Sequence, residues 1–167
     1  MITPGLPDIR QITLAEVAAF HATLDAVARE RRYLAMLEGP RLERVREFVA
    51  KNIEHDYVHL VAMDGPTAAG WCDITPGAHG EAHVGKLGMG VLKDYRSRGI
   101  GRRLLEAAIA KARTKEFEKI ELRVYASNLP ACRLYQKNGF TVEGVRKRAR
   151  LVDGIHDDIV LMALFLN

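Results

Sequence analysis

The run "DYRSRGIGRRLLEAAIAKA", Asp94 to Ala112, crowds Arg96, Arg98, Arg102 and Arg103 around Gly99 and Gly101 where a helix should begin. The first amides of a helix have no partner within it, and the aligned peptide dipoles put partial positive charge there. Glycines let the backbone curl so that N–H groups converge on a ligand, and arginines add charge-assisted contacts. The chemistry served by such a turn is capture of a compact anion, a phosphate. The alternative is a tight entry turn with solvated arginines. Two nucleotide loops do not fit: Leu104 stands where the dinucleotide fingerprint needs its third glycine, and Gly101-Arg102-Arg103 is not the Gly-Lys-Ser/Thr of a P-loop.

A second constellation lies one helix and one strand downstream. Arg96-Ser97-Arg98-Gly99-Ile100-Gly101 matches an Arg/Gln-x-x-Gly-x-Gly/Ala element, and "NLPACRLYQKNGF", Asn128 to Phe140, carries an Asn, an Ala, a Leu-Tyr pair and a Gly-Phe pair in order. Together they resemble the two signatures of the GNAT superfamily, the acetyl-CoA-dependent N-acetyltransferases, with a clear likeness from Val84 to Val142. The resemblance implies an α+β fold: a mixed, twisted, mostly antiparallel sheet of six or seven strands with about four helices. Its central parallel strands, here "KLGMGVL" and "KIELRVYA", would splay apart and leave backbone groups unpaired from Met89 through Gly90 and Val91 to Leu92.

The resemblance also implies acetyl-CoA as co-substrate and no metal. The pantetheine arm would run along Met89, Gly90 and Val91, a close approach that would explain Gly88 and Gly90. The pyrophosphate would sit at the turn of Arg96, Arg98, Gly99, Ile100, Gly101 and Arg102. Asn128 and Ala131 would touch the arm, and Tyr135 would face the departing thiolate. Asn128 reads equally well as a plain helix cap. The implied reaction moves an acetyl group directly to a primary amine of a small molecule, amino-acid-like, polyamine or antibiotic-like. A protein N-terminus or lysine is the alternative acceptor.

Acetyl transfer needs a neutral amine, a donor for the developing oxyanion and stabilisation of the thiolate. A phenol is a weaker acid than a thiol, so the Tyr135 hydroxyl suits a hydrogen bond to the thiolate better than full proton transfer. The Val91 amide is the candidate oxyanion donor. Glu81 and His83, just before the glycine-bearing strand, are candidate bases, and Asp73 ends the neighbouring strand. Arg32 and Tyr33 could hold an acceptor carboxylate or be ordinary surface residues. His79 and His83 invite a zinc reading, but Gly77 and Gly80 disfavour a helical pairing and no further ligands are close in sequence.

The elements that must position these residues follow from periodicity. "DIRQI" alternates as a first strand, and Thr13 with Glu16 forms a capping-box pattern before a helix expected to reach about Arg32, with Val17, Phe20, Leu24 and Val27 on one stripe. Gly39-Pro40 breaks the chain, and a second helix is expected to bury Leu42, Val45, Phe48, Val49 and Ile53. "YVHLVAMD" and "TAAGWCDIT" read as a hairpin around Asp64-Gly65-Pro66. The glycine-bearing strand, "HVGKLGMGVL", comes next. The helix after Arg98 carries Ile100, Leu104, Leu105, Ala108, Ile109 and Ala112 on one face. A short helix then runs from Asn128 to before Gly139. "FTVEGVRK" and "HDDIVLMALFL" close the chain as strands joined at Val152-Asp153-Gly154.

The totals bound the answer. The chain has 167 residues, 48% hydrophobic and 28% charged, which fits a single domain over 1–167. From Lys93 to Lys115 eight basic residues stand against Asp94 and Glu106, whereas the remainder holds 17 basic against 19 acidic residues. Such local charge suits a small polyanion, and aromatics at 7% are not interleaved with the basic residues as a nucleic-acid platform would need. Nucleic-acid and membrane partners are therefore not expected. Cys72 and Cys132 form no disulfide framework, and "MITPGLPDIRQ" lacks the pattern of a signal peptide, so a cytoplasmic location is expected. The C-terminal strands offer an edge for a homodimer.

Overall fold

A computed structural model describes residues 5–166. Thr13 opens the helical part as its sequence implies. Its N–H donates to the Glu16 carboxylate at 2.7 Å while its side chain accepts from Ala15, completing a capping box over a short 3₁₀ turn, Leu14–Glu16. Helix α1 follows at Val17–Arg29, and α2 spans Leu42–Glu54. α1 ends at Arg29 and not near Arg32, because Arg31 turns to a φ of +58°, outside helical space. α2 buries Val45, Val49 and Asn52, whereas Phe48 and Ile53, expected inside, are exposed. The inner stripe is narrow because α2 meets the sheet through a polar contact: Asn52 is 3.0 Å from Nδ1 of buried His59. Burial pulls the His59 pKa from 6.5 to about 4, so the imidazole is neutral.

Seven strands form one sheet in the order β1-β2-β3-β4-β5-β7-β6. They are β1 Asp8–Gln11, β2 Val58–Asp64, β3 Thr67–Pro76, β4 Val84–Val91, β5 Lys119–Tyr125, β6 Thr141–Val152 and β7 Ile155–Phe165. All neighbours are antiparallel except β4 and β5. β6 runs five residues beyond the expected Lys147, over a register break between Arg146 and Arg150. The Arg148 N–H donates there to Asp158 at 2.8 Å.

Helices cover both faces. On the front, α1 and α2 pack Val17, Phe20, Val27, Val45 and Val49 against Val61, Met63 and Trp71. On the back lie α3, Ile100–Ala112, and α4, Leu129–Lys137. The six apolar residues of the α3 stripe are all buried there, with Tyr135, Phe140, Ile120, Leu122 and Val124.

β4 and β5 pair only at Val84–Lys119, Gly85–Ile120 and Lys86–Glu121, then part. The Leu92 N–H donates to Ala69 at 2.9 Å and the Val84 carbonyl accepts from Gly77, so even-numbered residues turn their peptide groups toward β3. Alternation then turns those of Leu87, Met89 and Val91 into the gap. Leu92 and Gly90, expected among the unpaired residues, point away from it. Gly90 has another cause than a close ligand, whereas packing leaves Gly88 room for a side chain. A Cβ on Gly90 would lie 2.4 Å from the Trp71 ring, and one on Gly88 would lie 3.4 Å from the Asp73 carboxylate.

Gly90→Ala should therefore destabilise the fold by about 1–3 kcal/mol through overpacking against Trp71. Urea unfolding measures it, and a loss below about 0.5 kcal/mol would show that the indole yields freely.

Candidate functional site

The gap between β4 and β5 opens into a cavity of about 660 Å³ that passes through the sheet. Its walls are Leu87 to Val91 of β4, Arg123 to Tyr125 of β5, the turn leading into α3, one face of α4 through Pro130, Ala131, Leu134 and Tyr135, and Tyr33, Leu34 and Ala35 of the loop between α1 and α2.

The α3 turn leaves the first amides of its helix open. Gly99 sits at the N-cap with a φ of +75°, and no side chain caps the helix. The amides of Ile100, Gly101 and Arg102 therefore lack a capping side chain where they border the cavity. Thr13 and Asn128, by contrast, both cap with side-chain oxygens; Asn128 accepts from Ala131 at 3.4 Å. A Cβ on Gly101 would meet only ordinary contacts, the shortest being 3.6 Å to Val91. Its own neighbours therefore do not demand a glycine at this position. Ser97 holds a φ of +60° in the same turn.

The arginines are placed less simply than their spacing implies. Arg96 lines the cavity, but its guanidinium is engaged: two nitrogens donate to Glu30 at 2.8 and 2.5 Å, Nε donates to the Val91 carbonyl at 2.9 Å, and the plane lies 4.7 Å from the Tyr33 ring centroid. It ties α1 and its loop to the end of β4. Arg98 stands outside the cavity with its guanidinium 5.3 Å from the Tyr95 ring centroid. Arg102 borders the cavity and pairs with Glu106 at 2.6 Å.

Of the residues proposed from sequence for the thioester and its arm, Met89, Gly90, Val91, Gly99, Ile100, Gly101, Asn128, Ala131 and Tyr135 meet on one cavity wall or another. Tyr135 is buried, and its hydroxyl has no hydrogen-bond partner among the described residues. Burial pushes its pKa well up, which makes the phenol a poorer acid but still a good hydrogen-bond donor.

Glu81 and His83 do not reach this cavity. They precede β4 at its paired end, where Glu81 is 2.9 Å from Lys86. Arg32 is exposed outside it and only its neighbour Tyr33 takes part. Asp73 does not line the cavity either, but it lies one strand from it. It pairs across strands with Gly88, which lines the cavity, and burial raises its carboxyl pKa from 3.8 to about 7, offset only in part by the Trp71 indole. Arg123 and Tyr125 escaped the sequence reading altogether. Their alternation with buried Leu122 and Val124 marks them as facing away from α3 and α4, but only the strand order shows that they border the gap. Among the described residues no group of three His, Cys, Asp or Glu could hold a metal ion, and no helix is long and apolar enough to cross a membrane.

Residues 22–140 match the model of the acetyltransferase (GNAT) family. The chain belongs to that family. A GNAT-family acetyltransferase from Streptococcus pneumoniae superposes with a TM-score of 0.89 at 28% identity, over 98% of this chain and 100% of that one. The structure of yncA from Salmonella typhimurium, solved with its cofactor acetyl-CoA, shares the fold with a TM-score of 0.89 at 19% identity, over 96% and 94% of the two chains. In sequence, the L-amino acid N-acetyltransferase AaaT of Escherichia coli is 32% identical over 83 residues, 49% of this chain and 51% of that protein. Mycothiol acetyltransferase of Corynebacterium aurimucosum is 37% identical over 90 residues, 50% of this chain and 28% of that protein. The chain thus spans about half or less of the length of these two relatives.

The raised Asp73 pKa has a signed consequence. A carboxyl that binds its proton more tightly when folded stabilises below its unfolded pKa, and that contribution is lost as pH rises from 3.8 to about 7. His59 works oppositely, losing stability as pH falls from 6.5 to about 4. Comparing wild type with Asp73→Asn isolates the first effect: the difference in urea-unfolding free energy should fall through that window and level above it. A flat difference would show that Asp73 titrates normally.

Proposed function

We propose that the chain works as a single N-acetyltransferase domain that moves the acetyl group of acetyl-CoA directly to a primary amine of a small molecule. The observation that carries this reading is the uncapped N-terminus of α3 beside a sheet gap with free peptide groups. The first offers amides to a diphosphate, and the second offers a half-strand of donors and acceptors to an amide-bearing arm. Bound there, acetyl-CoA supplies the thioester. The cavity size lies within the usual range for small-ligand sites.

The chain's residues divide the remaining work. The gap-facing Val91 N–H is free to donate to a developing oxyanion, while its carbonyl is held by Arg96. The amine nitrogen gains a bond to the acetyl carbon, the carbon–sulfur bond breaks, and the proton shed by nitrogen must leave toward the front. Asp73, with a pKa of about 7, is suited to take it there, directly or through water. The Tyr135 hydroxyl donates to the sulfur that departs.

The preference for a small acceptor rests on the front rim. Arg31 of the α1–α2 loop donates to both oxygens of Asp153 in the β6–β7 turn, at 2.9 and 2.8 Å. Arg150 donates to the Arg31 carbonyl at 2.9 Å. This clasp draws the loop and hairpin together over the front. A protein N-terminus is the second reading, favoured by the likeness to a putative ribosomal protein bS18-alanine N-acetyltransferase of Bacillus subtilis, 28% identical over 122 residues.

Acetyl-CoA at about 100 times its Kd should stabilise the fold by about 2.7 kcal/mol, read as a rise in Tm of several degrees. Gly101→Val should abolish that rise by filling the space left beside the amides, and an undiminished rise in this variant would refute the placement. Tyr135→Phe should keep the rise and slow turnover. Asp73→Asn should lower kcat by about 10²-fold or more and remove a rise in kcat/KM near pH 7, both measured by thiol release.

A further inference from the structure

We infer that Arg123 selects the acceptor by pairing with a carboxylate next to the amine to be acetylated, so that the substrate class is an α-amino acid. This rests on the acetyl-transfer reading. Three arginines line the cavity, and Arg96 and Arg102 are committed to Glu30 and Glu106. Arg123 is exposed there and has no hydrogen-bond or ion-pair partner among the described residues.

Its position is fixed by register. Lys86 and Glu121 are the last pair before β4 and β5 part, and their side chains meet at 2.6 Å on the front face. Arg123 lies two residues beyond Glu121, as Gly88 lies two beyond Lys86, so both face forward at the same level on opposite sides of the gap. Asp73 adjoins Gly88 on the far side. The front thus presents a base candidate, a glycine with no side chain in the way, the gap, and a cation.

No acid among the described residues answers that cation. Glu121, on the same face, is held by Lys86 and Lys119. Leu161, beside Arg123 on β7, carries no charge. Asp157 accepts from Ser127, and Asp158 is held by Lys147 and the Arg148 N–H. Arg150, 4.3 Å from the Tyr125 ring centroid, adds a second positive charge to the same side. A guanidinium fork binds a carboxylate in a bidentate fashion, which fixes orientation as well as charge. In an α-amino acid one carbon joins amine and carboxylate, so the amine can face the gap while the carboxylate meets Arg123. Polyamines and aminoglycosides bring positive charge to a positive rim and are disfavoured.

The test is thiol release from acetyl-CoA with the L-amino acids, their α-amides, spermidine and an aminoglycoside. Amides hold the more readily deprotonated amine, so the comparison runs against the inference. The best amino acid should exceed its amide by about tenfold or more in kcat/KM. Arg123→Gln should raise the acid's KM by about tenfold with a much smaller change in kcat, and collapse the acid-over-amide ratio toward one. Arg123→Lys should restore part of it. A persisting acetyl-CoA-induced rise in Tm shows that both variants fold. Equal rates for acid and amide, preference for spermidine or the aminoglycoside, or an unchanged ratio in Arg123→Gln would overturn the inference while acetyl transfer stands. Absence of thiol release with every amine would overturn both.

Discussion

The parting of β4 and β5 after Lys86 is the constraint from which the rest of the site follows. A sheet interior does not tolerate unanswered peptide groups, because each loses its water partners on burial. This protein answers a few of them itself and exposes the others to a cavity. Arg96 reaches across to the Val91 carbonyl and is in turn gripped by Glu30. One side chain therefore props the end of β4, anchors α1 and leaves the Val91 N–H available. The α3 N-terminus opens onto the same space, so two sets of unanswered donors converge from different elements.

Burial, more than neighbouring charge, sets the protonation of the central groups. Asp73 is pushed toward neutrality, Tyr135 keeps its proton more tightly, and His59 loses its own. A carboxyl held near neutrality beside the gap has the proton affinity that the proposed acceptor role requires. His59, held by Asn52 and packed edge-on against Phe20 at 4.8 Å between ring centres, fixes α2 to the sheet instead. The same physical cause suits one group to the proposed proton transfer and the other to a structural task, and the difference is where each lies relative to the cavity.

Much of the fold was legible because its signals are local. The Thr13–Glu16 capping box, the α3 stripe from Ile100 to Ala112 and the Gly139 turn each lie within a few residues. The two family signatures share this property, since the α3 turn and the Asn128 cap are short segments. What escaped depends on partners far apart in the chain. Nothing near Arg96 announces Glu30, and nothing near Arg31 announces Asp153. Glu81 and His83 drew attention by their nearness to β4 in sequence, yet the strand opens at its other end. Phe48 and Ile53 obey the helical period but fall outside a buried stripe that Asn52 and His59 make narrow. Arg123 went unseen because alternation reveals the face of a strand and not the width of the space beside it.

The contact between Gly90 and Trp71 ties two positions into one evolutionary choice. While the indole stays, any side chain at position 90 crowds it, and the front of β4 remains bare where the acceptor would pass. A lineage that trades the indole for a smaller group frees position 90 to carry a side chain into the path of incoming molecules. Diversification of what such an enzyme accepts would therefore begin one strand away from the gap, with the loss of a tryptophan.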